Sequence, residues 1–104
     1  MKLEFTESAL LDLENTRDYI THKLHNPIAA ENLVTEIVHY CQQLKEFPHL
    51  GKTLPAMDGY HPIHRTIVVR TQIVIYKVMG DTIHISRILD GRTDYLKIFF
   101  RDEQ

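Results

Sequence analysis

Ile83-His84-Ile85-Ser86-Arg87-Ile88-Leu89-Asp90-Gly91-Arg92-Thr93-Asp94-Tyr95 is the stretch on which the fold turns. Its opening alternates apolar and polar residues, the pattern of a strand that buries its Ile and Leu side chains. The strand runs straight into Asp90-Gly91, where glycine would let the backbone turn sharply. A guanidinium, a carboxylate and a phenol then leave the turn at Arg92, Asp94 and Tyr95, a fixed cluster suited to an anion or a polar partner. Ile83 and Ile85 point one way, and Arg87 is in phase with them. Ile88 and Leu89 are consecutive, which predicts a bulge or burial on both faces. Two readings of Arg87 stay open: an ion pair with a carboxylate at the core edge, or a seat for a bound anion such as phosphate.

Period-two patterning extends upstream. Ile63 to Arg70 and Gln72 to Val78 read as strands, and Gly80-Asp81 is a turn into a strand from Thr82 to Leu89. The link Arg70-Thr71-Gln72 carries no strong turn residue. Residues 52 to 62 read as loop, punctuated by Pro55, Asp58-Gly59 and Pro62. Before them lie two helical stripes. Thr6 is an N-cap, with Glu7 placed for the helix dipole, and Leu10, Leu13, Ile20 and Leu24 follow on one face. Asn26 ends that helix near His25, because a pre-proline residue disfavours the α region. Asn26-Pro27 also opens the next helix, whose stripe is Ala30, Leu33, Ile37, Cys41 and Leu44. Phe47-Pro48-His49-Leu50-Gly51 closes it. Lys2 to Phe5 alternates briefly and is too short to stand alone, so it should join the later strands. The expected class is α+β: a short first strand, an antiparallel helical hairpin, then a three-stranded antiparallel meander in one sheet with strand 1. The hairpin covers one face, the other is free for polar side chains, and residues 94 to 100 form a short helix or tail.

At 104 residues the chain, 1–104, is expected to be one domain with a modest core. Hydrophobic residues at 43% and charged residues at 25% are ordinary for a globular protein. Cys41 is the sole cysteine, which excludes an internal disulfide and fits a reducing compartment. The opening Met1-Lys2-Leu3-Glu4-Phe5 has no apolar core of a signal, and no apolar run reaches the roughly 20 residues of a membrane span. The expected location is cytoplasmic, with no membrane partner. The net charge of −2 hides an asymmetry, because five of the arginines (Arg65, Arg70, Arg87, Arg92, Arg101) lie beyond residue 50. An acidic first half and an arginine-rich second half suggest two faces with different partners; an unevenly charged surface is the plainer reading.

Arg65, Arg87 and Arg92 would converge if the later strands are neighbours, and three guanidiniums would hold a nucleic-acid backbone. Tyr95 would then stack on a base or act as a weak general base; its alternative is a phenol capping the core. His61 and His64 bracket Pro62 beside Arg65 and suit acid–base work. His84 lies on the last strand, while His22, His25, His39 and His49 read as surface residues. His-x-x-His at 61–64 lacks a third ligand, so neither a metal nor a cofactor is expected.

These residues carry a resemblance. The chain resembles the RelE/ParE superfamily of toxins from type II toxin–antitoxin systems across nearly its whole length. The matching elements are Asn26-Pro27-x-Ala29-Ala30, Phe47-Pro48-x-x-Gly51, Arg65, Ile75-Tyr76-x-Val78, and Ile88-Leu89-Asp90-Gly91-Arg92-x-Asp94-Tyr95. The resemblance implies growth inhibition, plasmid stabilisation, a small antitoxin that wraps and neutralises the toxin, and operator DNA bound through their complex. RelE-like members cut mRNA in the ribosomal A site without a metal, often with an arginine three residues before the middle-strand tyrosine. Here that position is Ile73, and Thr71-Gln72 replaces the usual basic run. The helix opening and the Gly91-Arg92-x-Asp94-Tyr95 ending look more like the ParE branch, which inhibits DNA gyrase. The leading expectation is therefore a ParE-like toxin acting by protein binding. The alternative is a ribosome-dependent endoribonuclease using Arg65, Arg87, Arg92, Tyr95 and His64, with His61 as a second candidate. A third reading is an inactive relative that binds only antitoxin and operator DNA. Asp94 is expected to hold Arg92 or Arg87 as a structural pair.

Overall fold

A computed structural model describes residues 1–54 and 63–102. The elements are β1 (Lys2–Phe5), α1 (Glu7–Asp18), a π-helical turn (Tyr19–Lys23), α2 (Pro27–Gln43), β2 (Lys52–Thr53), β3 (His64–Val69), β4 (Gln72–Met79), β5 (Thr82–Asp90) and α3 (Tyr95–Asp102). The α+β class, the helical hairpin, the three-stranded meander and the recruitment of the first strand are all as the sequence predicts. Five strands form one sheet in the order β1-β5-β4-β3-β2. The meander β3-β4-β5 is antiparallel, whereas β1 pairs parallel with β5, Lys2 opposite Thr82 through Phe5 opposite Ile85.

The caps act as the side chains dictate. Thr6 Oγ1 accepts from the Ala9 N–H at 3.1 Å and donates to the Ser86 carbonyl at 2.8 Å, so one hydroxyl starts α1 and ties it to β5. Asn26 Oδ1 accepts from the Ala29 N–H at 3.1 Å and starts α2. Between the helices the chain widens into the π-helical turn, and His25 takes φ 53°, the left-handed region that ends many helices.

Two apolar clusters sandwich the sheet. On the hairpin face, Ala9, Leu13, Leu33, Ile37, Cys41 and Leu44 pack on Val69, Val74, Tyr76, Ile83, Ile85 and Ile88. The α2 stripe is buried as its periodicity predicts. The α1 stripe is corrected: Leu13 is buried and Ile20 joins the cluster, but Leu10 (54% exposed) and Leu24 (56%) face outward, and Ala9 takes the inner position. The opposite face is not simply polar. There α3 closes over Leu54, Ile73, Ile75 and Leu89 and buries Phe99. Residues 94 to 100 thus contribute to a helix rather than a tail.

Three local departures have physical causes. Lys52–Thr53, expected as loop, adds a short edge strand against Arg65 and Thr66; two residues are too few to show a period in sequence. Residues 55–62, the rest of that expected loop, lie outside the described residues, as does His61. Arg70-Thr71 is a tight turn that pairs Val69 with Gln72, and Arg70 adopts φ 56° without glycine's freedom. The Arg70 guanidinium pairs with Glu36 of α2, and the Gly91 N–H donates to the Thr71 carbonyl at 2.7 Å, fixing the turn from both sides. Finally, the ladder slips by one residue at Ser86: Tyr76 faces Ile85, while Ile75 faces Arg87. This bulge changes the phase of β5, so Ile83, Ile85 and Ile88 share one cluster and Leu89 enters the other.

Candidate functional site

The expected arginine cluster does not form; each guanidinium is committed to a different neighbour. Arg65 sits opposite Tyr76 on β3. Its Nη1 donates to the carbonyls of Gly51 (2.8 Å) and His49 (3.4 Å). The Tyr76 hydroxyl, in a fully buried side chain, accepts from the Gly51 N–H at 2.9 Å and donates to the Pro48 carbonyl at 2.9 Å. Burial pushes the Tyr76 phenol up, and the Gly51 N–H and the nearby Arg65 charge pull partly the other way. The phenol therefore stays protonated and can donate to Pro48 throughout the neutral range. Gly51 is required because a Cβ there would meet the Thr66 carbonyl oxygen at 2.6 Å and the Tyr76 hydroxyl at 2.8 Å. The Phe47-Pro48-x-x-Gly51, Arg65 and Ile75-Tyr76 elements are thus one clamp that fastens the end of the helical hairpin to the sheet.

The bulge at Ser86 aims Arg87 at α1. Arg87 Nε and Nη2 reach the Asp12 carboxylate at 2.8 and 2.9 Å, a two-pronged pair with both side chains mostly buried (17% and 11% exposed). The same carboxylate accepts the Ile88 N–H at 2.9 Å. β1 ends at Phe5 and leaves that edge of β5 open, so Asp12 both balances a charge and caps the strand edge. Of the two readings of Arg87, the structure displays the ion pair.

Arg92 stands past the end of β5, with Nε and Nη2 on Asp90 at 3.0 and 2.7 Å and its own N–H on Asp90 Oδ1 at 2.8 Å. The Arg92 side-chain hydrogen bond holds the Asp90 carboxyl below its usual range and raises the guanidinium in return. Asp94, expected as the partner of Arg92 or Arg87, instead accepts the Lys97 N–H at 3.4 Å at the start of α3; Asp90 and Asp12 are nearer along the turn and across the bulge. Gly91 does not use a left-handed backbone. Its role is space, since a Cβ would meet Ile73 at 3.2 Å. Tyr95 is half-buried against the α3-side cluster. His64 is half-buried on that same face, edge-on to Phe99 with ring centroids 4.8 Å apart. Ile73, the position of the missing strand arginine, is 8% exposed within the apolar cluster beneath α3.

Arg65, Arg87 and Arg92 are therefore separated by the clamp, the bulge and the strand end. Among the described residues no group of three or more His, Cys, Asp or Glu side chains is placed to hold a metal. No helix there is long and apolar enough to cross a membrane.

One feature escaped the sequence reading. A cleft of about 490 Å³ opens between the π-helical turn, α2 and the ends of β4 and β5, with Tyr19, Ile20 and Leu24 on one wall, Gln72 in its floor and Asp90 and Arg92 at its rim. Tyr19 falls off the helical stripe, and the extra residue of the π turn has no signature in sequence. A tyrosine off the apolar stripe, seven residues before the pre-proline Asn26, is the signal the sequence offers.

Comparison with known proteins gives the lineage of this architecture. A family model described as ParE toxin of type II toxin–antitoxin system, parDE, matches residues 3–95. The structure of the chromosomal ParDE toxin–antitoxin system from P. aeruginosa superposes with a TM-score of 0.72 at 27% identity, covering 86% of this chain and 95% of that one. The RelB–RelE antitoxin–toxin complex from Methanococcus jannaschii shares the fold, with a TM-score of 0.51 at 22% identity over 89% of this chain and 95% of that one. No curated protein matches the chain.

Proposed function

Because the chain belongs to the ParE toxin family of type II toxin–antitoxin systems, we propose that it arrests growth by binding DNA gyrase and that a cognate antitoxin neutralises it. The carrying observation is Ile73. The place of a catalytic strand arginine is taken by an apolar side chain sealed under α3. The remaining candidates support this reading. Arg65 holds the Gly51 turn, Arg87 holds Asp12 and Arg92 holds Asp90, so their first engagement is structural. A surface that works by protein contact needs no assembled acid–base pair. Location in the cytoplasm follows from such a target.

The test is induction of the chain alone in bacteria. Growth should stop, supercoiling by purified gyrase should fall when the protein is added, and mRNA ends should stay unchanged. Codon-positioned mRNA cleavage that disappears in Arg92→Ala would replace this proposal with the endoribonuclease reading, in which Arg65, Arg87, Tyr95 and His64 would serve. Normal growth with abundant folded protein would leave an inactive relative that binds antitoxin and operator DNA.

A further inference from the structure

We propose that the cleft beside the π-helical turn is the seat of the antitoxin's anchoring segment, a short peptide stretch bearing an apolar side chain, a hydrogen-bond donor and a carboxylate. The inference rests on the reading that an antitoxin neutralises this toxin, and it assigns where and by what chemistry.

Three features make three separate demands. Tyr19 and Leu24 are each 56% exposed on one wall, with Ile20 between them, so the wall asks for an apolar side chain. Gln72 is 4% exposed in the floor, and its Oε1 has no hydrogen-bond partner among the described residues, while its Nε2 bonds Thr71 Oγ1 at 3.3 Å. A buried carboxamide oxygen left this way is unfavourable, and a donor arriving in the cleft would relieve it once the carboxamide turns the sealed oxygen toward the opening. At the rim the Asp90–Arg92 pair is lopsided. The Arg92 side chain is 73% exposed and that of Asp90 30%, so the outward charge is positive and favours an incoming carboxylate.

A free anion would meet only the last demand, and a purely apolar molecule only the first. Neighbouring residues of a peptide meet all three at once, and the cleft is large enough for a few side chains. The wall is suited to such an arrival. The π-helical turn is held at its end by the Asn26 N–H on the Ile20 carbonyl at 3.1 Å and by His25 in the left-handed region, so the chain keeps Tyr19 and Leu24 on the surface rather than on the core stripe.

The test uses the full toxin and the purified small protein encoded beside it. Tyr19→Ala, Leu24→Ala and Gln72→Leu should each weaken binding about 10-fold or more by titration calorimetry, the scale of truncated anchor residues. Arg92→Glu should slow association and flatten its salt dependence. Met79→Ser, at the far end of β4, should bind as the wild type does. In the wild-type complex, amides of residues 19–25 should gain hydrogen-exchange protection, a readout that needs no variant to fold. Folded cleft variants that bind within about 2-fold of wild type, or unprotected amides at 19–25 in the complex, would overturn the cleft assignment while leaving the antitoxin reading intact, since a complex forms. Absence of any complex with the wild-type toxin would overturn both.

Discussion

Tyr76→Phe isolates one oxygen atom in the clamp that fastens the helical hairpin to the sheet. The substitution keeps the ring, so the apolar contacts of a fully buried side chain persist and no large cavity opens. What disappears is the shared partner of two backbone groups, the Gly51 N–H and the Pro48 carbonyl, each 2.9 Å from the hydroxyl. Gly51 is buried, so its N–H is stranded, at about 1–3 kcal/mol. Pro48 is half-exposed and its carbonyl can turn to water at little expense. The expected loss is therefore about 2 kcal/mol. In a domain of this size that lowers the thermal midpoint by roughly 8–16 °C and the urea midpoint by roughly 1 M with an unchanged slope. Urea unfolding followed by circular dichroism reads both. Arg65→Met supplies the second arm, because its guanidinium grips the carbonyl of the same Gly51. The double variant should lose less than the sum of the two singles, as residues securing one turn are coupled. A loss below about 0.5 kcal/mol for Tyr76→Phe, or strict additivity with Arg65→Met, would refute the clamp.

Gly51→Ala drives a Cβ into the Thr66 carbonyl oxygen at 2.6 Å, a backbone atom that cannot step aside, and should lower stability by at least 2 kcal/mol or so in the same unfolding assay. His25→Gly relieves a left-handed residue at an exposed helix end and should raise stability by about 0.5–1 kcal/mol, read as a higher urea midpoint. Asp90→Asn reports on pH. Arg92 holds the Asp90 carboxyl below its unfolded value of about 3.9, so the pair's contribution is complete above that pH and fades as pH falls through the folded value. The stability gap between wild type and Asp90→Asn should accordingly be flat near neutrality and shrink below about pH 4. Burial pushes the Cys41 thiol up to about 12, so iodoacetamide at pH 8 should leave native protein unlabelled and modify it fully in urea; rapid native labelling would place Cys41 outside the core.

Much of the fold was legible because local chemistry and global packing agree. Thr6 and Asn26 cap helices where their side chains allow, the α2 stripe faces the core, and Gly80 turns the last hairpin at φ 60°. The misses have a common origin in side-chain direction. Leu10 looks like a stripe member until Ala9 and Leu13 take the inner face, and Leu24 until the π turn rotates the end of the helix. Arg65, Arg87 and Arg92 look like a cluster until the Ser86 bulge re-aims one and Gly51 and Asp90 claim the others. The cleft depends on Gln72, whose burial follows from a turn that no glycine or proline announces. The motifs that carry the resemblance proved to be fasteners of the fold, which is why they identify the family more readily than the chemistry.

The parallel union of β1 with β5 sets a schedule for synthesis. Lys2 waits for Thr82, and the Thr6 hydroxyl for the carbonyl of Ser86, 80 positions away. Chains elongate at about 5–20 residues per second, so a nascent toxin spends roughly 4–16 seconds with its first strand unmatched. Neither helix has its full platform in that interval, because β5 carries Ile83, Ile85 and Ile88 for both. The sheet thus closes late, and the neutralising partner proposed above, if made beforehand, would meet each new copy as it closes.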